Sequence, residues 1–556
     1  MYTSKYKSFA TLNCFLVVFV IIAVTPGITY DPINPIKLIV LSAFTITGVN
    51  LLIFKVKHDI RPYKSLIGIS SIFIIWQLCV LIVTNSNKSQ QFFGYSGRYN
   101  GLLTNLLLTL VFYFNIILSK KEYLSKFYRY IYLVFGCSIT YSLIQIFDFD
   151  PAGWSNPYET KVIGFLGNPN FNSSLIAILV CLIFSKIFDK SIRGILKFLI
   201  ILILALSIYI ISKTDSSQGF ALIVIGCTFI TTVYLIRKVF LLGISLILVN
   251  LIALIFSVLG FLQKGPLSTF LYQESITYRG DYWRSGWNMT ISNPLFGVGL
   301  DSYGDMYREF RSVEATVRRG PDVVSSSAHN LLLDLSASGG FPLLLFYLLI
   351  ILITLKSIYK VFARFGAIDS NFVGIVAGWI ALLSQSMISP INIALSALGW
   401  IFSGLIIGFE INSRPPETMS HTVDSKRFNT LKKLFFFKRS IVVLTSVVCL
   451  ILSTRPYTTS MNYLDALDSG RKESLYTNVL DWPRDPFRII QVAKIFNANN
   501  LKDDAINLLV QASEEFPSNY LIWQAIYSIE SDLSVKKNAL IQMRLLDPNN
   551  LELLIE

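Results

Sequence analysis

The residues equipped for chemistry gather between positions 264 and 340. That stretch holds His329, in SSSAHNLLLDLSASGG, together with Arg279, Arg284, Arg308, Arg311, Arg318 and Arg319. Arg98 sits in a second polar loop, within GYSGRYNG. The chain has 3 histidines in all, and the other two, His58 and His421, fall in strongly basic segments. A histidine of near-neutral pKa can take the proton of an attacking hydroxyl. Arginines can hold a diphosphate bidentately and neutralise its charge as it leaves. A diphosphate is already a good leaving group, so a metal is not obligatory, and the constellation suits glycosyl transfer from a lipid diphosphate. The competing reading makes His329 a capping or interface residue and the arginines ligands of lipid headgroups. HExxH, GxxxxGK[ST], a Ser-His-Asp order and metal-type carboxylate clusters are all missing from the sequence. The 6 cysteines (Cys14, Cys79, Cys137, Cys181, Cys227 and Cys449) lie inside apolar runs, which leaves no disulfide or CxxC metal site. Neither metal nor cofactor is expected.

What must position these residues is a membrane scaffold. The 556 residues are 53% hydrophobic and 15% charged, with mean hydropathy +0.57, where a soluble chain carries about 25% charged residues. Apolar runs long enough to cross a bilayer recur near 9–28, 35–54, 66–84, 101–119, 130–147, 171–188, 195–212, 217–236, 239–262, 341–358, 371–388, 391–411 and 441–454. The first follows Lys5 and Lys7 like a secretory signal, but no small-residue cleavage site follows it, so it reads as retained. The fold class is therefore all-α, a polytopic bundle of about thirteen transmembrane helices spanning residues 1–454.

Net charge +14 would point to nucleic acid in a soluble protein. Here Lys and Arg pile up in every second loop, as in Lys120, Lys121, Lys126 and Arg129, and again in the basic linker 412–440. By the positive-inside rule the N-terminus is cytoplasmic, and an odd number of spans puts the loop 264–340 and the tail on the outer side. No nucleic-acid partner is implied.

The tail 455–556 reads as a separate soluble helical module. Pro486, Pro517 and Pro548 recur every 31 residues, and Ala505 and Ala539 lie 34 apart. Small residues at such offsets let paired helices approach closely, and the pattern resembles tetratricopeptide repeats. Two repeats are fewer than such stacks need, so 457–482 is expected to add a helix pair or cap. The module reads as a docking surface for a protein partner or acceptor.

Four elements, in order and on one predicted side of the membrane, resemble the O-antigen ligase and polymerase superfamily of bacterial membrane glycosyltransferases. RGDYW (Arg279 to Trp283) with NPLFGVG resembles its R-x-x-x-W and N/H-P-L-x-G-x-G signature, and AHNLLLDLSASGGFP its histidine motif. GYSGRYNG resembles its outer-loop arginine motif, and GFLGNPNFNSS its G-x-x-x-N-P-N element. The resemblance implies metal-independent transfer of glycan from an undecaprenyl-diphosphate donor to an acceptor hydroxyl, on the periplasmic face of the bacterial inner membrane. On it, His329 matches the general base, and Arg279 and Arg98 match cations that hold the donor diphosphate. One departure stands out. Where many members carry Ser-Arg-Gly, this chain has Ser217-Gln218-Gly219, with Lys213 nearby to supply charge.

The catalytic candidates are thus His329 and Arg279, and the substrate-binding candidates are Arg98, Arg284, Lys213 and Gln218. Asp301 and Asp334 are candidate orienting groups, although five residues along a helix put Asp334 and His329 on different faces. Gly297 and Gly299 are expected to shape a tight turn, Asn168 to start a helix, and Trp283, Trp287 and Tyr303 to pack or anchor at the interface. A repeat-unit polymerase and a protein O-oligosaccharyltransferase remain alternatives. A lipid-linked-glycan transporter fits less well, because the polar groups cluster at one predicted membrane face rather than at mid-membrane.

Overall fold

A computed structural model of the chain describes residues 4–55, 64–154, 157–158, 160–261, 264–271, 274–364, 369–390, 392–414 and 431–554. His58, His421 and most of the basic linker 412–440 lie outside the described residues. Every regular element among the described residues is helical.

All thirteen apolar runs fall on helices. They are α1 (Ser4–Ile22), α2 (Asn34–Lys55) and α3 (Lys64–Val83), then, after the short α4 (Lys88–Phe93), α5 (Leu102–Leu118) and α6 (Lys121–Ile146). Next come α7 (Pro169–Phe184), α8 (Gly194–Ser212), α9 (Gln218–Lys238) and α10 (Phe240–Phe261). Four helices outside that set follow: α11 (Ser268–Leu271), α12 (Glu274–Ser292), α13 (Tyr303–Phe310) and α14 (Val313–Arg319). The membrane set resumes with α15 (Leu331–Arg364), α16 (Ser370–Ser386), α17 (Ile393–Asn412) and α18 (Leu431–Ser469).

Among the described residues, 9 of these helices are long and apolar enough to cross a membrane. The other four are α1, whose apolar part Tyr6–Ile22 is 17 residues long, the 17-residue α5 and α16, and α6, whose apolar stretch is broken by tyrosines and serines. Helices α5 and α16 are buried along most of their length, so neighbouring helices rather than lipid surround them, and an all-apolar surface is not required. The same contrast runs through the set. Helix α17 is 89% buried along its apolar window and α7 is 78% buried, whereas α8 and α10 are 17% and 6% buried. The first pair is core; the second is a rim whose apolar side chains face outward, as lipid contact requires.

One break in this scaffold bears on the site. Helix α15 loses helical geometry at Gly339 and Gly340, just before Pro342. Gly340 has φ 72°, and a side chain there would collide with the Leu295 carbonyl, so only glycine fits. The NPLFGVG loop docks into the break. Val298 N–H donates to Ala337 O (2.8 Å), Gly299 N–H to Ser338 O (3.2 Å) and Phe341 N–H to Pro294 O (2.8 Å). Trp76 of α3 donates its indole N–H to Gly339 O (2.8 Å). These bonds satisfy the backbone groups that the kink leaves free. Gly297, with φ 62°, is pressed against the Ala337 carbonyl, which accounts for the glycines of that motif.

Beyond the membrane, α18 runs on through Pro456 into the tail. The tail holds α19 (Lys472–Val479), α20 (Pro486–Ala498), α21 (Lys502–Glu515), α22 (Tyr520–Ile529) and α23 (Leu533–Leu546). Helix α20 packs on α21 and α22 on α23, with the small residues Ala493, Ala505 and Ala539 fully buried where helices meet. The end of α18 and α19 add Tyr463, Ala466, Leu475 and Val479 to the same core. The segment 457–482 thus supplies the additional helix pair.

Candidate active site

Three elements bring the chemistry together. Helix α12 carries Arg279 and Tyr282, α14 ends on Arg319, and the α4–α5 loop carries Arg98. Between α14 and α15 the chain runs through 320–330 without helix, and His329 lies just before α15 begins.

His329 has φ 53°, an unusual backbone state for a non-glycine residue, and its neighbours impose it. Asn330 caps α15, its side-chain oxygen accepting from Leu332 N–H (3.0 Å) and Leu333 N–H (3.2 Å), as N-cap residues do. Its amide donates to Met387 O (3.1 Å). Asp334 reaches back to accept from Ala328 N–H (2.6 Å). Asp334 therefore orients the backbone that presents His329, and being on another helical face is no obstacle to that role.

The imidazole lies stacked on Tyr282, with ring centroids 5.2 Å apart. Tyr282 accepts at its hydroxyl from Arg319 Nη2 (2.7 Å), and the Arg319 guanidinium lies over Tyr278 (4.0 Å) and Tyr282 (4.8 Å). Arg98 pairs with Asp301 (3.3 Å), donates to Ser326 O and lies over Tyr95 (5.2 Å). Asp301 also accepts from Tyr95 N–H (2.6 Å), so it locks the arginine loop against the NPLFGVGLD turn.

Burial first, and then the nearby Arg279, Arg98 and Arg319, together push the His329 imidazole down to about 3. Both causes disfavour the charged form. The ring is therefore neutral at physiological pH, and neither of its nitrogens is engaged by a described residue. Arg279 is held below the usual arginine range by its own burial, partly offset by Tyr282, and it makes no hydrogen bond or ion pair among the described residues. Arg98 Nε, Arg319 Nε and Arg319 Nη1 are buried with no hydrogen-bond partner. Three guanidiniums with unmade hydrogen bonds thus surround one neutral base.

A cavity begins at Arg98, Asn100, Asp301 and Ser327 and descends among apolar residues of α3, α15, α16 and α17, including Phe73, Leu343, Tyr347, Ile350, Trp379 and Trp400. Asp334 is on its wall; His329 and Arg279 are not.

The remaining candidates lie elsewhere. Arg284 is exposed and faces Glu314 at 3.8 Å. Lys213 ends α8 and sits over Tyr209 (5.7 Å), while Gln218 opens α9, buried, with its side-chain oxygen unpartnered. No hydrogen bond, ion pair or ring contact among the described residues joins either of them to His329 or Arg279. Asn168 caps α7, accepting from Asn170 and Phe171 N–H (2.9 and 3.3 Å). Tyr303 is buried and donates to Tyr282 O (2.7 Å), so it packs beneath the site; Trp287 is 49% exposed. Arg319 was one of six arginines in its loop, and only its two aromatic neighbours mark it out. The other residue that sequence reasoning missed is Asp547, which accepts from Arg308 Nη1 (3.1 Å) and Arg311 Nη2 (2.6 Å).

Residues 202–348 match a family model described as O-antigen ligase. This segment belongs to the O-antigen ligase family. It runs from α8 to just past the α15 kink, and contains Arg279, Arg319 and His329 but neither Arg98 nor the tail. No curated protein matches the chain. An O-antigen ligase domain in a multi-pass helical membrane protein gives the chain a glycosyltransferase-type role in polysaccharide assembly.

Proposed function

We propose that the protein transfers glycan from a polyprenyl-diphosphate donor to an acceptor hydroxyl, on the outer face of a bacterial inner membrane. The observation that carries this reading is the set of buried guanidinium nitrogens without partners around a neutral imidazole. Buried donors are normally satisfied, and a diphosphate supplies the acceptor oxygens and negative charge that this group lacks. Arg279, Arg98 and Arg319 hold the diphosphate, and the apolar cavity beneath Arg98 has the character to take the first part of a prenyl tail. The acceptor oxygen attacks the anomeric carbon, the bond from that carbon to the diphosphate oxygen breaks, and His329 takes the hydroxyl proton. The diphosphate leaves with the bonding electron pair and needs no metal to do so.

The electrostatics impose an order. In the empty site three cations keep the imidazole a poor base. A bound diphosphate offsets them, so the imidazole gains basicity only once the donor is in place. The donor therefore binds before proton abstraction.

The test is transfer by purified protein from a lipid-diphosphate glycan to candidate acceptors, comparing wild type with His329→Ala and Arg279→Ala variants that insert and fold. Each substitution is expected to lower turnover by about 10²-fold or more; near-normal turnover by both refutes the assignment. A glycan profile of cells lacking the protein separates the family's activities. Single units still attached mean a polymerase, accumulated lipid-linked polymer means a ligase, and a missing protein glycoform means a protein glycosyltransferase.

A further inference from the structure

The segment from Pro321 to Ala328 has neither helix nor strand, so its backbone groups find partners outside the regular hydrogen-bonding patterns. Four pins hold it. Pro321 O accepts from Arg308 Nη1 (2.6 Å) and Arg311 Nη1 (2.9 Å). Val323 O accepts from Arg311 Nη1 (3.3 Å). Ser326 O accepts from Arg98, and Ala328 N–H donates to Asp334 (2.6 Å). The next residue is His329.

The first two pins depend on the tail. Arg308 and Arg311 have side chains only 5% and 1% exposed, and both pair with Asp547, which is 0% exposed, at 3.1 and 2.6 Å. Two buried guanidiniums side by side repel one another, and one carboxylate lying 236 residues beyond Arg311 bridges both and offsets part of that repulsion. Around it, Tyr520 lies against Arg308 (4.1 Å), Asn549 donates to Arg311 O (2.6 Å) and Asn519 donates to Asp305 (3.4 Å). We infer that the tail, through Asp547, is a built-in brace of the catalytic loop, and that Asp547 is a positioning residue for transfer rather than part of a free docking module. This rests on the transferase reading above.

The experiment compares full-length wild type, Asp547→Asn and a surface control, Lys537→Gln, in liposomes. It reads hydrogen exchange of segment 312–328 and the kcat and donor KM of transfer from a polyprenyl-diphosphate oligosaccharide. In Asp547→Asn, exchange of 312–328 should accelerate about tenfold while helices α20 to α22 exchange as in wild type. Because a displacement near 1 Å costs up to about 10²-fold, kcat should fall at least about tenfold. Donor KM should change less than kcat, since Arg279 and Arg98 sit on other elements and only Arg319, of the three arginines that hold the diphosphate, lies within the loosened segment. Lys537→Gln should match wild type. Unchanged exchange in 312–328, or accelerated exchange with wild-type kcat, overturns the brace. A wild-type protein that transfers nothing refutes the transferase reading instead, and the exchange comparison then decides the brace by itself. Should Asp547→Asn fail to insert, Asn549→Ala removes a bond to the same loop without stranding a charge, and the same two measurements apply.

Discussion

Two groups of arginines share one loop and meet opposite fates. Arg308 and Arg311 are buried and share one carboxylate, Asp547, with the carbonyls of Pro321 and Val323 accepting further hydrogen bonds. Arg279 and Arg319 are also withdrawn from water, yet the first has no partner among the described residues and the second leaves two nitrogens unpaired. The charge is alike, and although Arg308 and Arg311 are buried while Arg279 and Arg319 are half-buried, what decides their roles is whether the chain itself supplies the counter-charge. A buried cation that its own protein neutralises is scaffold. One left unneutralised is a site awaiting an anion.

The sharpest way to break this contrast is to truncate one member of each group and measure stability without donor. Asp547→Ala strands two buried cations and should destabilise the tail–loop interface by about 3–5 kcal/mol, seen as a lower unfolding temperature in detergent. Arg279→Met removes an unpaired buried charge and should leave that temperature equal or raise it. A saturating donor should narrow the gap between the two variants. At about 100 times Kd, binding adds roughly 2.7 kcal/mol of stability to wild type, and Arg279→Met should lose most of that gain. If Arg279→Met is as destabilising as Asp547→Ala without donor, the two groups do the same job and the distinction fails.

The membrane scaffold was readable because crossing a bilayer demands long apolar helices, and each of the thirteen runs lies on one. Four of them fall short of a full apolar span, α1, α5 and α16 because their apolar stretches end at 17 residues and α6 because tyrosines and serines interrupt it. The tail's helix pairs were readable from the spacing of Ala505, Ala539 and the prolines for a similar reason: close helix contact tolerates only small residues. Arg319 and Asp547 were not readable. Six arginines in one polar loop look alike until tyrosines or a carboxylate are seen beside them, and a pairing across 236 residues leaves no local trace. Gln218 shows the converse. Its place in a family motif drew attention to it, but no contact among the described residues joins it to the histidine.

The imidazole's surroundings set a second, smaller effect, on pH. His329 ionises near 6.5 when unfolded and about 3 when folded, so its folded pKa is depressed. The stability tied to its neutrality is full above 6.5 and is lost as pH falls from there toward 3, at up to about 1.4 kcal/mol per unit. Denaturation midpoints measured from pH 7.5 to 5 should therefore slope less in His329→Gln than in wild type. Equal slopes would mean the wild-type ring charges freely, which the surrounding cations should prevent. Bound donor should raise the folded pKa, and with it shrink the wild-type slope.

The weakest test concerns an arginine that belongs to neither group. Arg284 and Glu314 sit 3.8 Å apart with side chains 63% and 67% exposed, and water screens such a pair. Arg284→Ala should leave the unfolding temperature as in wild type, and transfer within about twofold of it. The smallness is informative, because Arg284 follows Arg279 by five residues on the same helix and carries the same charge. If losing it lowers donor affinity as strongly as losing Arg279, long-range charge over the loop holds the diphosphate and the unpartnered nitrogens are incidental. A tenfold gap between the two variants shows that burial without a partner, not charge alone, makes the binding site.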